Sequence, residues 1–321
     1  MSKPSLSGAD LERIYRSLRL IRRVEEEVAR IYPSDKIKSP VHLSIGQEAI
    51  ATGVCDALDD GDIVSGTYRG HAAYLAKGGD LQGMFAELYG KRDGCSGGKG
   101  GSMHMVDMPR GVLGNSAVVG STVPIAMGYA FAQKRQRTGK VVAAFFGDGA
   151  TEEGVFWESV NFSVLHRLPI LFVCENNGLA IHTPLEKRWA VPDLLPKVEA
   201  FGLRADLVHD GDVFAIREKT AEAVETMRAG DAGPALLECR TYRWKEHVGP
   251  GEDYDAGYRT PDDKLPWVEN DQVARVGAML DTSIRERADS EIEDRIADAI
   301  AFAESSPFPG AEDLFSHVYA S

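Results

Sequence analysis

Residues 141–177, VVAAFFGDGATEEGVFWESVNFSVLHRLPILFVCENN, carry the clearest prediction of the fold. The apolar run 141–146 leads into Gly147-Asp148-Gly149, and a second apolar run, 169–174, ends in Glu175-Asn176-Asn177. The residues between the two runs have the length and pattern of one amphipathic helix. Both runs are too uniformly apolar to have a wet face, which is typical of parallel strands covered on both sides. We therefore predict an α/β fold with a mainly parallel sheet and helices on both faces.

Two polar side chains stand at the points where these strands end. Parallel strands joined by one crossover end at the same edge of a sheet, and ligands bind at that edge. We therefore expect Asp148 and Asn177 side by side, with glycines that let the backbone come close. Mg²⁺ is typically held by one or two protein oxygens, with phosphates and water completing its octahedron. A lone GDG would more often be a tight turn, but the spacing and the flanking strands favour a metal site.

Length and composition are those of a globular protein that can bury a full core, with 321 residues, 43% of them hydrophobic and 26% charged. Because no repeat, linker or low-complexity tail is visible, we expect one domain over residues 1–321 with helical extensions at both ends. The net charge of −13 argues against nucleic acid and anionic membranes as partners. An acidic solvated surface explains this charge most simply, and docking onto a basic partner is the alternative.

Cysteine usage and hydropathy predict a cytoplasmic protein. The four cysteines have no CxxC or Cys/His ligand spacing, so we expect a reducing compartment and no disulfide framework. No apolar run reaches the roughly 18 residues of a membrane-spanning helix. The N-terminal residues include early acidic residues and no apolar core, so we expect no secretory leader.

Hydrophobic spacing predicts further elements outside the first stretch. Helices are expected at residues 7–31, 48–58, 72–77, 81–89, 124–134, 213–229, 267–280 and 290–305, and strands at 62–65, 205–208 and 235–242. Ser7 or Asp10 is expected to cap the first helix. Residues 243–260, RWKEHVGPGEDYDAGYRT, are irregular, charged and glycine-bearing, which indicates a long functional or mobile loop.

The segment 94–104, GCSGGKGGSMH, holds five glycines among eleven residues. It is only superficially similar to a phosphate-binding P-loop, because its lysine is followed by glycine rather than Ser or Thr and no strand precedes it. We therefore exclude nucleoside-triphosphate binding at this motif. A flexible surface loop and a loop that approaches a cofactor closely remain equally good explanations.

Five motifs occur together in one order along the chain. They are Gly46-Gln47-Glu48, Tyr68-Arg69-Gly70-His71, the glycine-rich segment 94–104, the GDG…NN pair and Tyr242-Arg243…His247. With these motifs the chain resembles, from about residue 10 to 310, the α subunit of the thiamine-diphosphate-dependent 2-oxo acid dehydrogenase E1 components, which include pyruvate, branched-chain and acetoin dehydrogenases. The resemblance implies a thiamine-diphosphate-binding fold, with Mg²⁺ and the cofactor diphosphate held by this chain.

The resemblance also implies roles for particular residues. Asp148, Asn177 and the main-chain carbonyl of Leu179 would bind Mg²⁺, and Tyr68 and Arg69 would contact the diphosphate. The remaining cofactor contacts would come from Gly147, Gly149 and Ala150 at the start of the crossover helix, from Ala117 and Val119 at the aminopyrimidine, and from His247.

The two histidines His71 and His247 match active-site histidines of the family, so the resemblance implies that both are catalytic. A neutral imidazole near pH 7 can donate or accept a proton. Four further histidines are expected to be structural: His104, His166, His182 and His209. Gln47 and Glu48 are explained equally well as polar residues at a helix start and as supports of the site.

The resemblance implies a β-type subunit that holds the aminopyrimidine end of the cofactor and supplies the glutamate that activates it. No glutamate in this chain can be assigned that role. We therefore expect an α2β2 heterotetramer, no activity from this chain alone, and a lipoyl-domain acyltransferase as a further partner.

The loop 243–260 departs from the family pattern of two histidines flanking a glycine and then a serine. Lys245 and Glu246 replace the first histidine and the glycine, and Val248 stands in place of the serine. No Ser or Thr occurs from Val248 to Arg259, which argues against regulation by phosphorylation there.

Three functions remain open at this point. The first is oxidative decarboxylation of a 2-oxo acid with transfer of the acyl group to a lipoyl group. The second, which the unusual loop suggests, is a carboligase or ketol transfer to a sugar or another carbonyl. The third, a non-catalytic scaffold, is disfavoured by the retained Asp148, Asn177, His71 and His247.

Overall fold

The apolar runs of the sequence form a six-stranded sheet in the computed structural model, which describes residues 6–230, 232–316 and 318. The strands are β1 (Ile63–Thr67), β2 (Val112–Ser116), β3 (Val142–Gly147), β4 (Ile170–Asn176), β5 (Leu179–Ala180), β6 (Thr183–Pro184), β7 (Arg204–Val208) and β8 (Ala235–Arg240). The sheet has the order β2-β1-β3-β4-β8-β7, and every neighbouring pair in it is parallel. The predicted α/β fold with a parallel sheet is thereby confirmed. Strands β5 and β6 form a separate antiparallel hairpin directly after β4.

The helices are α1 (Gly8–Ile31), α2 (Glu48–Asp56), α3 (His71–Ala76), α4 (Leu81–Leu88), α5 (Thr122–Gln136), α6 (Gly154–Leu165), α7 (Leu195–Glu199), α8 (Val213–Arg228), α9 (Pro261–Glu269), α10 (Gln272–Gly277) and α11 (Thr282–Ser305). Helix α1 begins at a capping box in which Ser7 and Asp10 satisfy each other's backbone N–H groups. No described helix is both long and apolar enough to cross a membrane.

Three sequence predictions of local structure were wrong. The helix expected over residues 267–280 is two helices, α9 and α10, because Asp271 caps a new helix by accepting a hydrogen bond from Val273 N. The last helix begins eight residues earlier than expected, at Thr282. Strand β2 was not predicted, because VLGNS contains glycine and polar residues and lacks the uniform apolar pattern of the inner strands. It lies at the edge of the sheet, where that pattern is weakest.

The central strands are buried on both faces, as their composition predicts. Ala143 and Phe145 of β3 pack into a core that also contains residues of α1, α2, α4, α8 and α11. Val142, Ala144 and Phe146 pack into a second core with α5 and α6 on the other face. The sheet is therefore held rigidly between two helical layers, and its carboxyl edge is a firm platform for a site.

Candidate active site

A cavity of about 250 Å³ lies at the carboxyl edge of the sheet. Its walls come from the carboxyl ends of four strands and the segments that follow them: Thr67, Tyr68 and Arg69 at the end of β1; Ser116, Val118, Val119, Gly120 and Thr122 at the end of β2; Phe146, Gly147, Asp148, Gly149, Ala150 and Glu153 at the end of β3; and Glu175, Asn177, Leu179, Ala180 and Ile181 at the end of β4. The register between β3 and β4 pairs Gly147 with Glu175, so these two strands end level with each other. The structure thus brings Asp148 and Asn177 to one cavity, where the sequence placed them.

Asp148 is almost fully buried, with 3% of its surface exposed. Its Oδ2 atom forms an ion pair with Arg188, and its main-chain carbonyl accepts a hydrogen bond from Thr151 Oγ1 at 2.7 Å. Burial raises the pKa of this carboxyl group, and the charge of Arg188 opposes the rise. A buried carboxylate beside a cavity is the type of ligand that a hard cation requires.

The surroundings of Asp148 correct one sequence-based expectation. Gly149 and Ala150 do not start the crossover helix; they belong to the short 3₁₀ segment Asp148–Glu152, and α6 begins at Gly154. A helix-dipole argument for anion binding therefore does not apply to them. Gly149 has a steric role, because a Cβ atom there would lie 3.0 Å from Ala180 Cβ in the hairpin that covers it.

Asn177 is held by two hydrogen bonds. Its Nδ2 donates to Gln47 Oε1 at 3.0 Å, and its Oδ1 accepts from Leu179 N at 3.1 Å. An amide oxygen has a second lone pair, so Oδ1 can still bind a cation. Gln47, which is 2% exposed, therefore supports the site.

Glu48 has a structural role instead. Its Oε1 pairs with Arg22 Nε at 2.5 Å, and Arg22 pairs with Asp271 at 3.0 Å, which joins α1, α2 and α10. The sequence left open whether Gln47 and Glu48 are polar residues at a helix start or supports of the site. In the structure Gln47 contacts the site residue Asn177, whereas Glu48 contacts Arg22.

The buried guanidinium of Arg69 donates hydrogen bonds to two main-chain carbonyls among the described residues. Arg69 is 5% exposed, and its guanidinium donates to the carbonyls of Leu43 at 2.6 Å and His247 at 3.2 Å. Burial lowers its pKa. Within the described chain no carboxylate lies at ion-pair distance from this guanidinium, so an anion in the cavity would complement it.

Glu175 is a cavity residue to which the sequence gave no role. It is 7% exposed, and burial raises its pKa to about 7 while Arg69 opposes the rise. The sequence feature that could have identified Glu175 as a site residue is its position directly before the Asn176-Asn177 pair.

Three aromatic rings form a cluster beside the cavity. The ring of His42 lies 4.5 Å from Tyr68 and 5.1 Å from His247, and Tyr68 lies 5.5 Å from His247, all between ring centroids. Burial, reinforced by the charge of Arg69, lowers the pKa of His42 to about 3 and that of His247 to about 4. Both imidazoles are therefore neutral at pH 7. His42 was missed at the sequence level, since only its place just before the Gly46-Gln47-Glu48 motif marks it.

His71 does not lie at the cavity. It is completely buried, with Nδ1 3.1 Å from Glu25 Oε2 and Nε2 2.8 Å from Ser102 Oγ. The same Glu25 accepts a hydrogen bond from Ser44 N at 2.8 Å. Because both ring nitrogens are engaged in this network, the geometry does not support the expected catalytic role of His71 and indicates a structural one.

The segment after β2 supplies apolar residues to the mouth of the cavity. Val118 and Val119 line it and are 67% and 44% exposed. Ala117, which was expected beside the cofactor, is not among the residues that line the cavity.

The glycine-rich segment is neither a free surface loop nor part of the cavity wall. It wraps around the buried carboxylate of Glu87, which accepts hydrogen bonds from the backbone N–H groups of Ser96, Gly98, Gly100 and Gly101 at 2.6–3.0 Å. Gly101 has a φ of +57°, which a residue with a side chain rarely adopts. The N–H groups that could have bound a phosphate are thus occupied by a side chain of α4.

The loop 243–260 is organised by two arginines and Asp253. Arg243, which is 1% exposed, donates to the carbonyl of Ile181 at 3.1 Å, and Arg259 donates to the carbonyl of Arg243 at 2.7 Å. Asp253 pairs with both arginines. Ile181 has a φ of +52°, a strained conformation for a β-branched residue, and it lines the cavity. The loop therefore connects to the β5–β6 hairpin and carries His247 to the aromatic cluster beside the cavity; His247 itself is not among the residues that line the cavity.

Two of the residues that depart from the family pattern are Glu246 and Val248. Glu246 Oε1 accepts a hydrogen bond from Gly251 N at 2.7 Å and closes a turn. Val248 is 43% exposed beside His247.

No group of three or more His, Cys, Asp or Glu side chains with metal-binding geometry occurs in the described part of the chain. A metal site at Asp148 and Asn177 would therefore be sparse and would depend on phosphate oxygens and water for its remaining ligands.

Comparison with known proteins places this geometry in context. Residues 16–312 match the family model described as the dehydrogenase E1 component. The chain is 37% identical to the α subunit of acetoin:2,6-dichlorophenolindophenol oxidoreductase from Bacillus subtilis, over 96% of this chain and 93% of that protein. It is 38% identical to the pyruvate dehydrogenase E1 component α subunit of Porphyra purpurea, over 96% and 92%, and 36% identical to that of Rhizobium meliloti, over 97% and 90%.

Proposed function

The chain belongs to the dehydrogenase E1 component family as an α-type subunit, and from this premise we propose that it decarboxylates a pyruvate-like 2-oxo acid together with a β-type subunit and passes the acyl group to a lipoyl group or another acceptor. This family depends on thiamine diphosphate. One observation carries the proposal: a buried carboxylate, an oriented amide and a buried arginine that has no carboxylate partner among the described residues meet at one cavity on the carboxyl edge of the sheet.

The residues present fit a magnesium diphosphate. Asp148 and Asn177 offer two hard oxygens, the carbonyl of Leu179 is the proposed third ligand, and Arg69 offers a cation that lacks an anionic partner. Tyr68 and the backbone of residues 147–150 complete the proposed diphosphate contacts. When bound, thiamine diphosphate supplies the electron sink for decarboxylation.

His247 is the proposed proton-transfer residue, and His42 and Tyr68 hold its ring in place. Because both imidazoles are neutral at pH 7, His247 can accept a proton, and a negative charge that develops nearby would favour the protonated form. A positioned acid–base group of this kind contributes roughly 10²–10⁴-fold to rate. The main-chain carbonyl of His247 meanwhile receives a hydrogen bond from Arg69, which couples the loop to the anion site.

An α subunit of this family implies a β-type partner, and we propose an α2β2 heterotetramer. The apolar rim formed by Val118, Val119 and Ile181 supports a partner at the cavity mouth, since each of the three is 44–67% exposed. The cavity volume of about 250 Å³ is below the roughly 300–1,000 Å³ of pockets that enclose a whole ligand, which supports a cofactor shared between two subunits. A lipoyl-domain acyltransferase is the proposed downstream partner. We also propose a cytoplasmic location, which four free cysteine thiols favour.

The second candidate is a carboligase or ketol transfer with the same cofactor. The observation that favours it is the turn closed by Glu246, because this loop faces the acyl acceptor in the family and here has Lys245, Glu246 and Val248 in place of the usual residues.

Reconstitution with the β-type partner distinguishes decarboxylation with acyl transfer to a lipoyl group from carboligation. We expect CO₂ release from pyruvate with reduction of 2,6-dichlorophenolindophenol, and acylation of an added lipoyl domain. Decarboxylation without lipoyl acylation, together with condensation onto an added aldehyde or sugar, would favour carboligation. An H247N variant is the matched control, since it should bind the cofactor and lose most turnover.

A further inference from the structure

Arg188 is a buried arginine that contacts the cavity carboxylate from outside the cavity. Its side chain is 6% exposed, and its guanidinium pairs with Asp148 Oδ2 through Nη2 and with Glu152 through Nη1. Its Nε donates to the carbonyl of Thr183 at 3.0 Å. Arg188 is not among the residues that line the cavity, whereas Asp148 is. The guanidinium therefore approaches the carboxylate from outside the cavity, and each of its three nitrogens donates one hydrogen bond.

We propose that Arg188 is a positioning residue for the divalent cation: it binds Asp148 Oδ2 and leaves Oδ1 as the oxygen that coordinates the metal. The inference rests on the proposed function, since it concerns the same metal site. No motif of the sequence marked Arg188, because it lies in the hairpin segment 40 residues after Asp148.

A second set of contacts holds Arg188 in this place. The neighbouring Trp189 packs edge-on against Trp157, with ring centroids 6.3 Å apart, and Lys197 Nζ lies 3.6 Å from the Trp189 ring centroid. Trp157 Nε1 donates to the carbonyl of Thr151 at 2.8 Å, in the same 3₁₀ segment as Asp148. The segments that carry Arg188 and Asp148 are thus fixed to each other by aromatic packing as well as by charge.

The charges explain why an arginine suits this position. A buried carboxylate without a counter-charge is costly, and the ion pair with Arg188 gives Asp148 that counter-charge. Arg188 supplies the counter-charge permanently, because a guanidinium does not lose its proton in proteins. Together with Glu152, the three groups keep one net negative charge, so a cation in the cavity is still attracted. The planar fork also fixes the orientation of Asp148, which a lysine cannot do equally well.

The test measures Mn²⁺ binding to the full chain in complex with its β-type subunit, in the presence of thiamine diphosphate. The readout is the electron paramagnetic resonance signal of free Mn²⁺, which decreases as the ion binds. We expect R188M to weaken Mn²⁺ binding by about 10–100-fold, as loss of groups that orient metal ligands does. R188K should recover part of the loss, because it restores the charge without the fork. K187M is the matched control: it removes a positive charge from the adjacent exposed residue and should change the affinity less than about twofold.

Each other result is decisive. Wild-type affinity in R188M would overturn the inference, and tighter binding would do so as well, since it would mean that Arg188 competes with the cation. If R188M fails to fold, R188K decides alone: full wild-type affinity and metal-bound spectrum in R188K would exclude a role for the fork. If the wild-type complex binds neither Mn²⁺ nor thiamine diphosphate, the proposed function fails, and the inference fails with it.

Discussion

Two glycine-bearing segments of this molecule each lie around a different buried carboxylate. The two carboxylates differ in how many hydrogen-bond and charge partners they have. In segment 94–104, four backbone N–H groups converge on Glu87, which is completely buried. In segment 147–150, Asp148 is nearly as buried, but it has a single counter-ion and borders a cavity. Glu87 is saturated by hydrogen bonds from its own chain, whereas our proposal leaves Asp148 Oδ1 for an outside ligand.

The difference shows that glycine content alone does not indicate a ligand site. Glycines let backbone N–H groups converge on an anion, and that anion can be a side chain of the protein as well as a phosphate. The function depends on whether the oxygens of the carboxylate are already satisfied by other groups of the protein. Glu87 has none to offer, and we therefore assign the first segment to stability and the second to activity.

The largest expected effect is that of D148N on activity. Removing the charged metal ligand should lower turnover by a factor on the order of 10³, since a bound metal contributes several kcal/mol of charge stabilisation. Stability should change less than in E87Q, because Arg188 keeps Glu152 and the carbonyl of Thr183 as acceptors. Turnover of the reconstituted complex and urea unfolding of the full chain measure the two quantities. Retention of more than a tenth of wild-type turnover would place the metal elsewhere.

E87Q should show the reverse pattern. Replacing the charged acceptor of four N–H groups should lower the free energy of unfolding by roughly 2–4 kcal/mol, since hydrogen bonds to charged groups contribute about 1.5–3 kcal/mol each and glutamine retains part of them. The dissociation constant for thiamine diphosphate should stay within about twofold in the folded fraction. Urea unfolding and calorimetric titration of the complex test this. A loss of cofactor affinity with unchanged stability would make the glycine-rich segment part of the site after all.

The smallest expected effect is the change per pH unit in the free energy of unfolding that His42, beside the cavity, contributes. The folded-state pKa of His42 is about 3, below its ordinary value, so the unfolded chain takes up a proton first as the pH falls below about 6.5. The free energy of unfolding should therefore decrease between about pH 6.5 and 4, by at most roughly 1.4 kcal/mol per pH unit for this group.

H42N removes the contribution of His42 and should flatten the curve in that window, as measured by urea unfolding across pH. The exposed His104 of the glycine-rich segment is the matched position, and H104N should leave the slope unchanged. Parallel curves for wild type and H42N would contradict the buried, neutral state of His42.

The sequence alone determined five of the six strands of the sheet, their parallel pairing and the two residues at its carboxyl edge, but not the edge strand β2. Uniformly apolar strands can be buried only between two helical layers, and parallel strands joined by one crossover must end at the same edge. The proposed roles of Asp148, Asn177, Tyr68, Arg69 and His247 came from short motifs and their order along the chain, and all five residues lie around one cavity or its aromatic cluster.

Only the tertiary structure decided what depends on contacts between distant segments. Arg188 meets Asp148 across 40 residues, Glu87 fills the glycine-rich segment from another element, and His71 is engaged by Glu25 from 46 residues away. Whether a carboxylate or an imidazole is free to act depends on which partners already satisfy its hydrogen bonds and charge. Those partners are set by packing between elements, and local sequence patterns do not carry that information.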